Sequence, residues 1–360
     1  MDPKYDDTPN LTLWEKVDLP FARFAIVASA LYAALTGVIR GKAYPAKYSH
    51  HVMATTVRKA ISRLSDQQNH RSLNRPTSDV YTAFMEGGGQ APETVKLAHG
   101  AVGHWVGNKN AKNVLTYYHG GGFVIPAGPT HLQFVTALIQ ELNANGHELA
   151  VFFVRYTLVP RQTYPTQLRQ AVEALRYLVT ETNRSMADVY LGGDSAGANL
   201  ALSTLLHISH PHPEIDPLPP SEPLAGVFAL GPWINFSTDG PSFTQNANKD
   251  LLTKGVLERW AKGYLAGKEP DSWSEPARAP VEWWKDVKTE RILILAGSDE
   301  LLISSIEEFA KKIQSVFPNT TYVVGYGESH DAPIYTDAGI DKCLKTETGR
   351  NMRQWLAAKL

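Results

Sequence analysis

The sequence predicts an α/β protein with a mostly parallel central sheet, helices on both faces and an inserted helical cap. From residue 114 onward, short apolar segments alternate with longer segments of helical character, which is the pattern of a parallel sheet. The strand candidates are continuously apolar, as in residues 149–154, which indicates burial on both faces. The alternation stops at residues 232–286, which hold five of the eight tryptophans. This interruption predicts the inserted cap.

The elements follow one another in a regular order. Residues 94–106 are expected to form a hairpin that turns at Gly100. The apolar segments predict strands at 114–118, 149–154, 188–192, 225–230, 291–296 and 320–325. The segments between and after them predict helices at 131–144, 166–181, 197–208, 302–315 and 347–359. We therefore expect one main domain over residues 81–360.

Residues 1–80 are expected to form a separate helical lid or cap region. Within it, residues 24–39 hold no charged residue, and Phe21 and Ala22 extend the apolar run. The uncharged run falls just short of the about 20 residues that cross a membrane. Two interpretations compete: a hydrophobic lid over an active site, or contact of residues 21–39 with a membrane. We favour the lid because small residues suit close packing on protein; these are Ala30, Ala33, Ala34 and Gly37.

The composition excludes several classes of function. The chain has 360 residues, 43% of them hydrophobic, which is enough for a sizeable core. Its net charge is −1, so there is no basic surface of the kind that binds nucleic acid. The single cysteine, Cys343, cannot form an internal disulfide and favours a reducing compartment. Residues 1–20 are polar and acidic, unlike a signal peptide, so we expect an intracellular, cytoplasmic protein or a membrane-associated one.

Residues Gly193–Gly197 read Gly-Asp-Ser-Ala-Gly and form the most informative motif of the chain. A strand-like run precedes them and a helix-like run follows, which is the context of a nucleophile elbow. The small residues at both ends permit a tight turn. A Gly-x-Ser-x-Gly pattern also arises by chance, and the alternative is an ordinary turn that holds a serine. We expect Ser195 to be a nucleophile and the N–H of Ala196 to contribute to an oxyanion hole.

A second, rarer motif is His119-Gly120-Gly121-Gly122, directly after the strand candidate at 114–118. Backbone N–H groups in such a loop can point at a negatively charged oxygen, and glycine lets the backbone approach a reacting carbonyl. Gly120 and Gly121 are the expected donors. The alternative is a flexible glycine loop. The two motifs together, each after a strand, predict a serine hydrolase.

A serine nucleophile needs a histidine to accept its proton and a carboxylate to orient that histidine. His330 follows the strand candidate at 320–325, so we expect it to be the general base. Asp299 follows the strand candidate at 291–296, so we expect it to be the carboxylate. The adjacent Glu300 is the alternative. The expected triad is therefore Ser195, Asp299 and His330.

These motifs resemble the hormone-sensitive-lipase-like branch of the α/β-hydrolases, which pairs His-Gly-Gly-Gly with Gly-Asp-Ser-Ala-Gly. Residues Tyr156–Pro160, followed by Tyr164-Pro165, are similar to the Tyr-x-Leu-x-Pro segment of that branch. Residues Asp299–Leu301 are similar to its Asp-Pro-Leu motif, with the proline replaced. An acidic residue common in the branch is Gln170 here. The resemblance covers roughly residues 90–358 and is strongest to fungal esterases related to steryl-acetate hydrolases and to secondary metabolism.

The resemblance implies an α/β-hydrolase fold and a serine esterase that cleaves a short-chain acyl ester of a hydrophobic small molecule, with acetyl as the expected acyl group. The partner it implies is that small-molecule ester, with no cofactor and no metal. The alternative is an acyltransferase, amidase, lyase or cyclase that uses the same triad on a natural-product scaffold. Phe123 and Trp233 are the candidate pocket residues. The aromatic residues of the inserted segment either line an acyl pocket or pack the cap.

Overall fold

The computed structural model describes residues 10–73, 75–218, 222–335 and 343–360 and confirms the α/β class. Its central sheet has eight strands in the order β1-β2-β4-β3-β5-β6-β7-β8. The strands are β1 (Glu93–Lys96), β2 (Val102–Val106), β3 (Asn113–Tyr118), β4 (Leu149–Arg155), β5 (Val189–Asp194), β6 (Gly226–Leu230), β7 (Ile292–Gly297) and β8 (Thr320–Gly325). Strands β1 and β2 form the expected antiparallel hairpin, and β2 pairs antiparallel with β4. Strands β3 to β8 are mutually parallel.

Helices cover both faces of the sheet, close to the predicted positions. The helices of the main domain are α5 (Pro129–Ala144), α6 (Thr166–Thr180), α7 (Ala196–Ser209), α8 (Ser242–Gln245), α9 (Lys254–Leu265), α10 (Ile303–Gln314) and α11 (Glu347–Ala357). Helices α8 and α9 belong to the inserted segment. It also contains short 3-10 turns at Pro276–Arg278 and Val281–Trp284.

Strand β4 illustrates why the central strands are continuously apolar. Its alternate residues Ala150, Phe152 and Val154 join a core with α6, α7 and α10 on one face of the sheet. Leu149, Val151 and Phe153 join a second core with α5 and α11 on the other face. Side chains alternate between the faces of a strand, so burial on both faces requires apolar residues at every position.

The N-terminal region is helical, as predicted. It contains α1 (Leu13–Thr36), α2 (Tyr48–Arg63), α3 (Asp66–Ser72) and α4 (Thr77–Gly87). Helix α1 packs along α2, and the carboxylate of Asp18 forms a two-pronged ion pair with Arg63 at 2.5 and 2.8 Å. Arg259 of α9 bonds to Asp66 at 2.9 Å, which ties this region to the inserted segment. The N-terminal helices are therefore joined to the cap.

The position of α1 corrects the lid interpretation. A lid would bury the large apolar side chains of residues 21–39 over the site, but all of them are exposed except Ile26, which is half-buried. Only Ala22 and Ala33 of this helix are buried. The small residues do pack on protein, as expected, because an added Cβ at Gly37 would lie 2.8 Å from the His51 ring of α2. They serve contact with α2, and the large residues point away from it.

Candidate active site

Ser195 occupies a sharp turn between β5 and α7. Its backbone angles are φ 52° and ψ −117°, a conformation that non-glycine residues rarely adopt and that persists where the surroundings enforce it. An added Cβ at Gly193 or Gly197 would lie 2.4 or 1.9 Å from the carbonyl oxygen of Tyr118. The glycines are therefore required by contact with the end of β3. This arrangement has the geometry of a nucleophile elbow.

The glycine loop after β3 lies against the elbow. An added Cβ at Gly120 would lie 2.2 Å from the carboxylate of Asp194, and one at Gly121 would lie 2.5 Å from the carbonyl oxygen of Ile125. Gly121 also has φ 107°, which favours glycine. The sequence predicts glycine here so that the backbone can approach a reacting carbonyl. The contacts add a second reason, because the protein's own backbone and Asp194 leave no room for a side chain.

Asp194 is fully buried between the two motifs. Its carboxylate accepts a hydrogen bond from the Tyr117 hydroxyl at 2.6 Å and lies 3.3 Å from Nε2 of His131. Burial opposes ionisation, but His131 and Tyr117 outweigh it and hold the pKa of Asp194 below its ordinary value. The charged carboxylate sits directly beneath Gly120. The motif alone does not mark Asp194 as functional, because Asp194 occupies its variable position.

His119, the first residue of the glycine loop, is held in place by Tyr156. The hydroxyl of Tyr156 donates to its carbonyl oxygen at 2.6 Å, and the two rings stack with centroids 4.5 Å apart. Burial lowers the pKa of His119 to about 4, so the ring is neutral at ordinary pH. Tyr156 therefore fixes the start of the loop from the segment after β4. This contact gives a physical reason for the tyrosine of the Tyr-x-Leu-x-Pro segment.

The carboxylate next to His330 is Glu300, and this corrects the expectation of Asp299. Oε2 of Glu300 lies 2.8 Å from Nδ1 of His330, and both side chains are buried. Asp299 instead pairs with Nζ of Lys249 at 2.9 Å. The turn after β7 explains the difference, because the amide of Gly297 donates to Oε1 of Glu300 at 2.6 Å. The turn thus draws Glu300 inward, and Asp299 pairs with a lysine outside the buried site.

Electrostatics at His330 are set by several carboxylates. Burial opposes protonation of the ring, but Asp331 and Glu300 outweigh it and raise the pKa of His330 above its ordinary value. Asp331 follows directly, with φ 51°, and its Oδ2 lies 3.1 Å from Nε2 of His330. Burial raises the pKa of Asp331 and of Glu300. The structure therefore surrounds the imidazole with carboxyl groups on both ring nitrogens, which sequence reasoning missed.

Strand β6 links the serine to the histidine. The amide of Ser195 donates to the carbonyl oxygen of Leu230 at 2.8 Å. The next residue, Gly231, lies against the imidazole, because an added Cβ there would be 3.0 Å from Nδ1 of His330. Ser195 and His330 thus both lie at the carboxyl end of β6, each in contact with one of two adjacent residues. This is the edge of a parallel sheet where active sites form.

The candidate pocket residues Phe123 and Trp233 are both buried. The ring of Phe123 stacks on Tyr264 of α9 with centroids 3.8 Å apart and lies 6.0 Å from the ring of Trp233. The amide of Trp233 donates to the carbonyl oxygen of Ser195 at 3.2 Å. An added Cβ at Gly122 would meet the ring of Trp260 at 2.1 Å. These aromatic residues therefore pack against one another behind the glycine loop.

Gln170, where the resembled branch carries an acidic residue, makes three hydrogen bonds. Its side chain accepts from the amide of Thr157 at 2.6 Å and donates to the hydroxyl of Thr157 at 2.8 Å. It also donates to the carbonyl oxygen of His99 at 2.7 Å. The amide group thus fastens the segment after β4 to the β1–β2 hairpin without a charge.

Two other features lie apart from these residues. A surface groove of about 850 Å³ opens beside the β1–β2 hairpin and is lined by Trp105, Tyr177 and Arg184 among others. None of the candidate active-site residues lines this groove. Across the described ranges, no group of three or more histidine, cysteine, aspartate or glutamate side chains is arranged to hold a metal ion.

Comparisons with known proteins agree with the fold. A family model described as alpha/beta hydrolase fold matches residues 115–334. An acetyl-hydrolase of Streptomyces hygroscopicus is 31% identical over 52% of this chain and 57% of its own length. Steryl acetyl hydrolase 1 of Saccharomyces cerevisiae is 26% identical over 67% of this chain and 56% of its own. The chain therefore spans little more than half the length of these curated relatives.

Solved structures give the same fold. An esterase from the bacterial hormone-sensitive lipase family superposes with a TM-score of 0.63 at 21% identity, covering 87% of this chain and 97% of that one. A carboxyl esterase 2 of Tuber melanosporum superposes with a TM-score of 0.61 at 20% identity, covering 74% of this chain and 85% of that one. Together with the family match and the curated relatives, these structures confirm the resemblance to hormone-sensitive-lipase-like α/β-hydrolases.

Proposed function

We propose that this chain, which belongs to the alpha/beta hydrolase fold family, hydrolyses carboxylic esters with Ser195 as the nucleophile. The observation that carries the proposal is the left-handed backbone of Ser195, across the end of β6 from the His330–Glu300 pair. The relatives named as an acetyl-hydrolase and a steryl acetyl hydrolase support it.

In the proposed reaction, Oγ of Ser195 attacks the ester carbonyl while Nε2 of His330 accepts its proton. Glu300 holds Nδ1 of His330, so in the proposed reaction the ring carries its N–H at Nδ1 and its lone pair at Nε2. Oδ2 of Asp331, 3.1 Å from Nε2 in this structure, must move aside for Oγ of Ser195. His330 then gives the proton to the leaving alcohol, and an acyl-enzyme remains. Water attacks the acyl-enzyme, again with His330 as the base, and releases the acid.

The negative charge on the carbonyl oxygen needs donors that are fixed before the reaction. We assign these to the backbone N–H groups of Gly120, Gly121 and Ala196. The amides of Val124 and Ile125 donate to the carbonyl oxygen of Gly121 at 3.0 and 2.9 Å, which supports a rigid loop. Ala196 is the first residue of α7, so the helix dipole adds to the stabilisation of negative charge there.

The proposed substrate carries a short acyl group on a hydrophobic alcohol. The rings of Phe123, Tyr264 and Trp260 lie packed behind the glycine loop and limit the volume open to an acyl chain. An apolar alcohol fits a site whose surroundings are aromatic, because burial of apolar surface favours binding. We propose acetate or another short acyl chain, in keeping with the names of the two curated relatives.

The test is a series of p-nitrophenyl esters of increasing chain length, combined with a fluorophosphonate probe. We expect turnover to be highest for the shortest esters and the probe to label the wild type but not Ser195→Ala. Equal amounts of acid and alcohol should be released. If added alcohols receive the acyl group and no free acid forms, the enzyme is a transferase. If the probe labels nothing and no ester is cleaved, the proposal is wrong.

A further inference from the structure

Helix α1 presents the largest exposed apolar surface of the described chain. Eleven large hydrophobic side chains between Leu13 and Ile39 are between 52% and 83% exposed. Only three other large hydrophobic residues in the described ranges are exposed: Tyr44, Tyr48 and Tyr326. By length and composition, the segment Leu13–Ile39 is long and apolar enough to cross a membrane. A surface of this size marks a binding site for a partner or a membrane.

We propose that α1 binds the surface of a phospholipid bilayer, with its axis in the plane of the membrane. The helix is about 36 Å long at 1.5 Å per residue, comparable to the thickness of a bilayer core. It is nevertheless fastened along α2 near both ends. Asp18 pairs with Arg63 near one end, and the hydroxyl of Tyr48 donates to the carbonyl oxygen of Ala34 at 2.6 Å near the other. A helix attached lengthwise to a folded domain can enter a bilayer only sideways.

The width of the face favours lipid over a second copy of the chain. A two-stranded coiled coil buries a narrow stripe at heptad spacing, and charged residues usually flank that stripe. One such stripe runs along α1 from Trp14 through Phe24 and Leu31 to Val38. Exposed apolar residues lie on both sides of it, for example Val27 and Tyr32. The apolar arc is therefore broader than a paired helix would bury, and lipid can cover all of it.

The charges around this face suit a membrane with anionic headgroups. The acidic residues of α1 are turned to the neighbouring helices: Glu15 accepts from Ser65 at 2.6 Å, and Asp18 pairs with Arg63. The exposed charged residues between positions 13 and 47 are all basic: Lys16, Arg23, Lys42 and Lys47. Basic residues near a membrane surface are attracted to anionic lipids. The face thus combines apolar insertion with positive charge at its borders.

The membrane-binding helix is connected to the proposed active site. Nε2 of His50, on α2, lies 2.8 Å from the hydroxyl of Ser329, the residue before His330. Arg58, also on α2, donates to the carbonyl oxygen of Asp250 at 2.9 Å, and Asp250 accepts from the amide of Leu301 at 2.5 Å. The helix that anchors α1 therefore contacts the loop of His330 directly and the loop of Glu300 through Asp250. Binding to the bilayer would hold the site close to hydrophobic esters dissolved in it; this consequence rests on the proposed function.

Vesicle flotation tests the surface without any need for catalysis. The full chain is mixed with vesicles of phosphatidylcholine containing a minor fraction of phosphatidylserine. We expect the wild type to float with the vesicles and a Phe24→Ser, Leu31→Ser, Leu35→Ser triple variant to stay in the soluble fraction. Tyr326→Ser removes a side chain that is 91% exposed outside α1 and is the matched control, so it should float like the wild type.

Further measurements distinguish a lipid bilayer from a second copy of the chain on the exposed face of α1. Lys42→Glu with Lys47→Glu should weaken flotation with anionic vesicles and have little effect with phosphatidylcholine alone. The triple variant should keep its thermal midpoint and its turnover of a soluble ester, but lose turnover of an ester embedded in vesicles. If the wild type does not float, or sediments as a dimer that the triple variant dissociates, the proposal is wrong. If flotation succeeds and no ester is cleaved, only the proposed function fails.

Discussion

Helices α1 and α7 are both strongly apolar, yet α7 is buried in the core and α1 is largely exposed. In α7 every residue from Ala196 to Ile208 is buried, and this helix begins directly after the proposed nucleophile. In α1 only two of 24 residues are buried. The difference lies in the neighbours: α7 contacts β3, β5, β6 and α6, whereas α1 contacts mainly α2. Apolar composition alone therefore does not decide whether a helix belongs to a core.

The largest effect should come from the start of α7. Ser195→Ala removes the proposed nucleophile, and because a triad acts as a unit we expect hydrolysis to fall by about six orders of magnitude. The side chain lost is small, so the thermal midpoint should stay close to that of the wild type. Steady-state turnover of p-nitrophenyl acetate measures the effect. A folded Ser195→Ala protein with near-normal activity would contradict the assignment.

The next largest effect should distinguish the roles of the adjacent carboxylates Glu300 and Asp299 in catalysis. Glu300→Gln should cost up to ~10⁴-fold in kcat, because the neutral amide no longer fixes the tautomer of His330. Asp299→Asn is the matched control: it loses only an ion pair with Lys249, so activity should remain near that of the wild type. Kinetics of both variants on one ester decide the matter. An inactive Asp299→Asn with an active Glu300→Gln would restore the expectation drawn from the sequence.

The sequence could predict much of the main domain, because a buried parallel sheet leaves a strong local pattern. The strand at 320–325 was predicted with the bounds it has, and the other five parallel strands to within two residues at either end. The loops that carry Ser195 and His330 follow from these strands. The choice of carboxylate depends on one turn of backbone. Two adjacent acidic residues after a strand look alike until the amide of Gly297 is seen to bond Glu300.

Two further features could not be read from the sequence for the same reason. The lid interpretation treated residues 21–39 as a segment that must be buried on protein, whereas α1 places only its small residues against α2. Nothing in the sequence marks Asp331 as a contact of Nε2 of His330. Its approach to Nε2 depends on a left-handed backbone at that position. Both outcomes depend on which face of an element is turned to which neighbour, and sequence spacing does not specify this.

Truncation of one leucine in each helix compares how much α7 and α1 contribute to the free energy of unfolding. Leu205 in α7 is fully buried, and Leu205→Ala should lower the free energy of unfolding by about 2–5 kcal/mol through lost burial and a residual cavity. Leu31 in α1 is 59% exposed, and Leu31→Ala should change it by no more than about 0.5 kcal/mol without lipid. Urea denaturation of both variants measures the difference. A large loss for Leu31→Ala would mean that a protein surface covers α1 in solution.

The smallest expected effect is on the pH dependence of activity, which the buried carboxylates around His330 set. His330 can accept the serine's proton only when neutral, so activity should rise with pH through the pKa of His330. Asp331, Glu300 and Asp250 all raise that pKa, so the rising limb should lie above the ordinary value near 6.5. Asp331→Asn removes the carboxylate next to Nε2 and should move the rising limb to lower pH by about one unit, or ~1.4 kcal/mol.

Asp299→Asn is the control, because it leaves the surroundings of His330 unchanged and should not move the limb. The pH dependence of kcat/KM for the three proteins gives the result. An unmoved limb in Asp331→Asn, or one at higher pH, would mean that Asp331 does not act on the charge of His330.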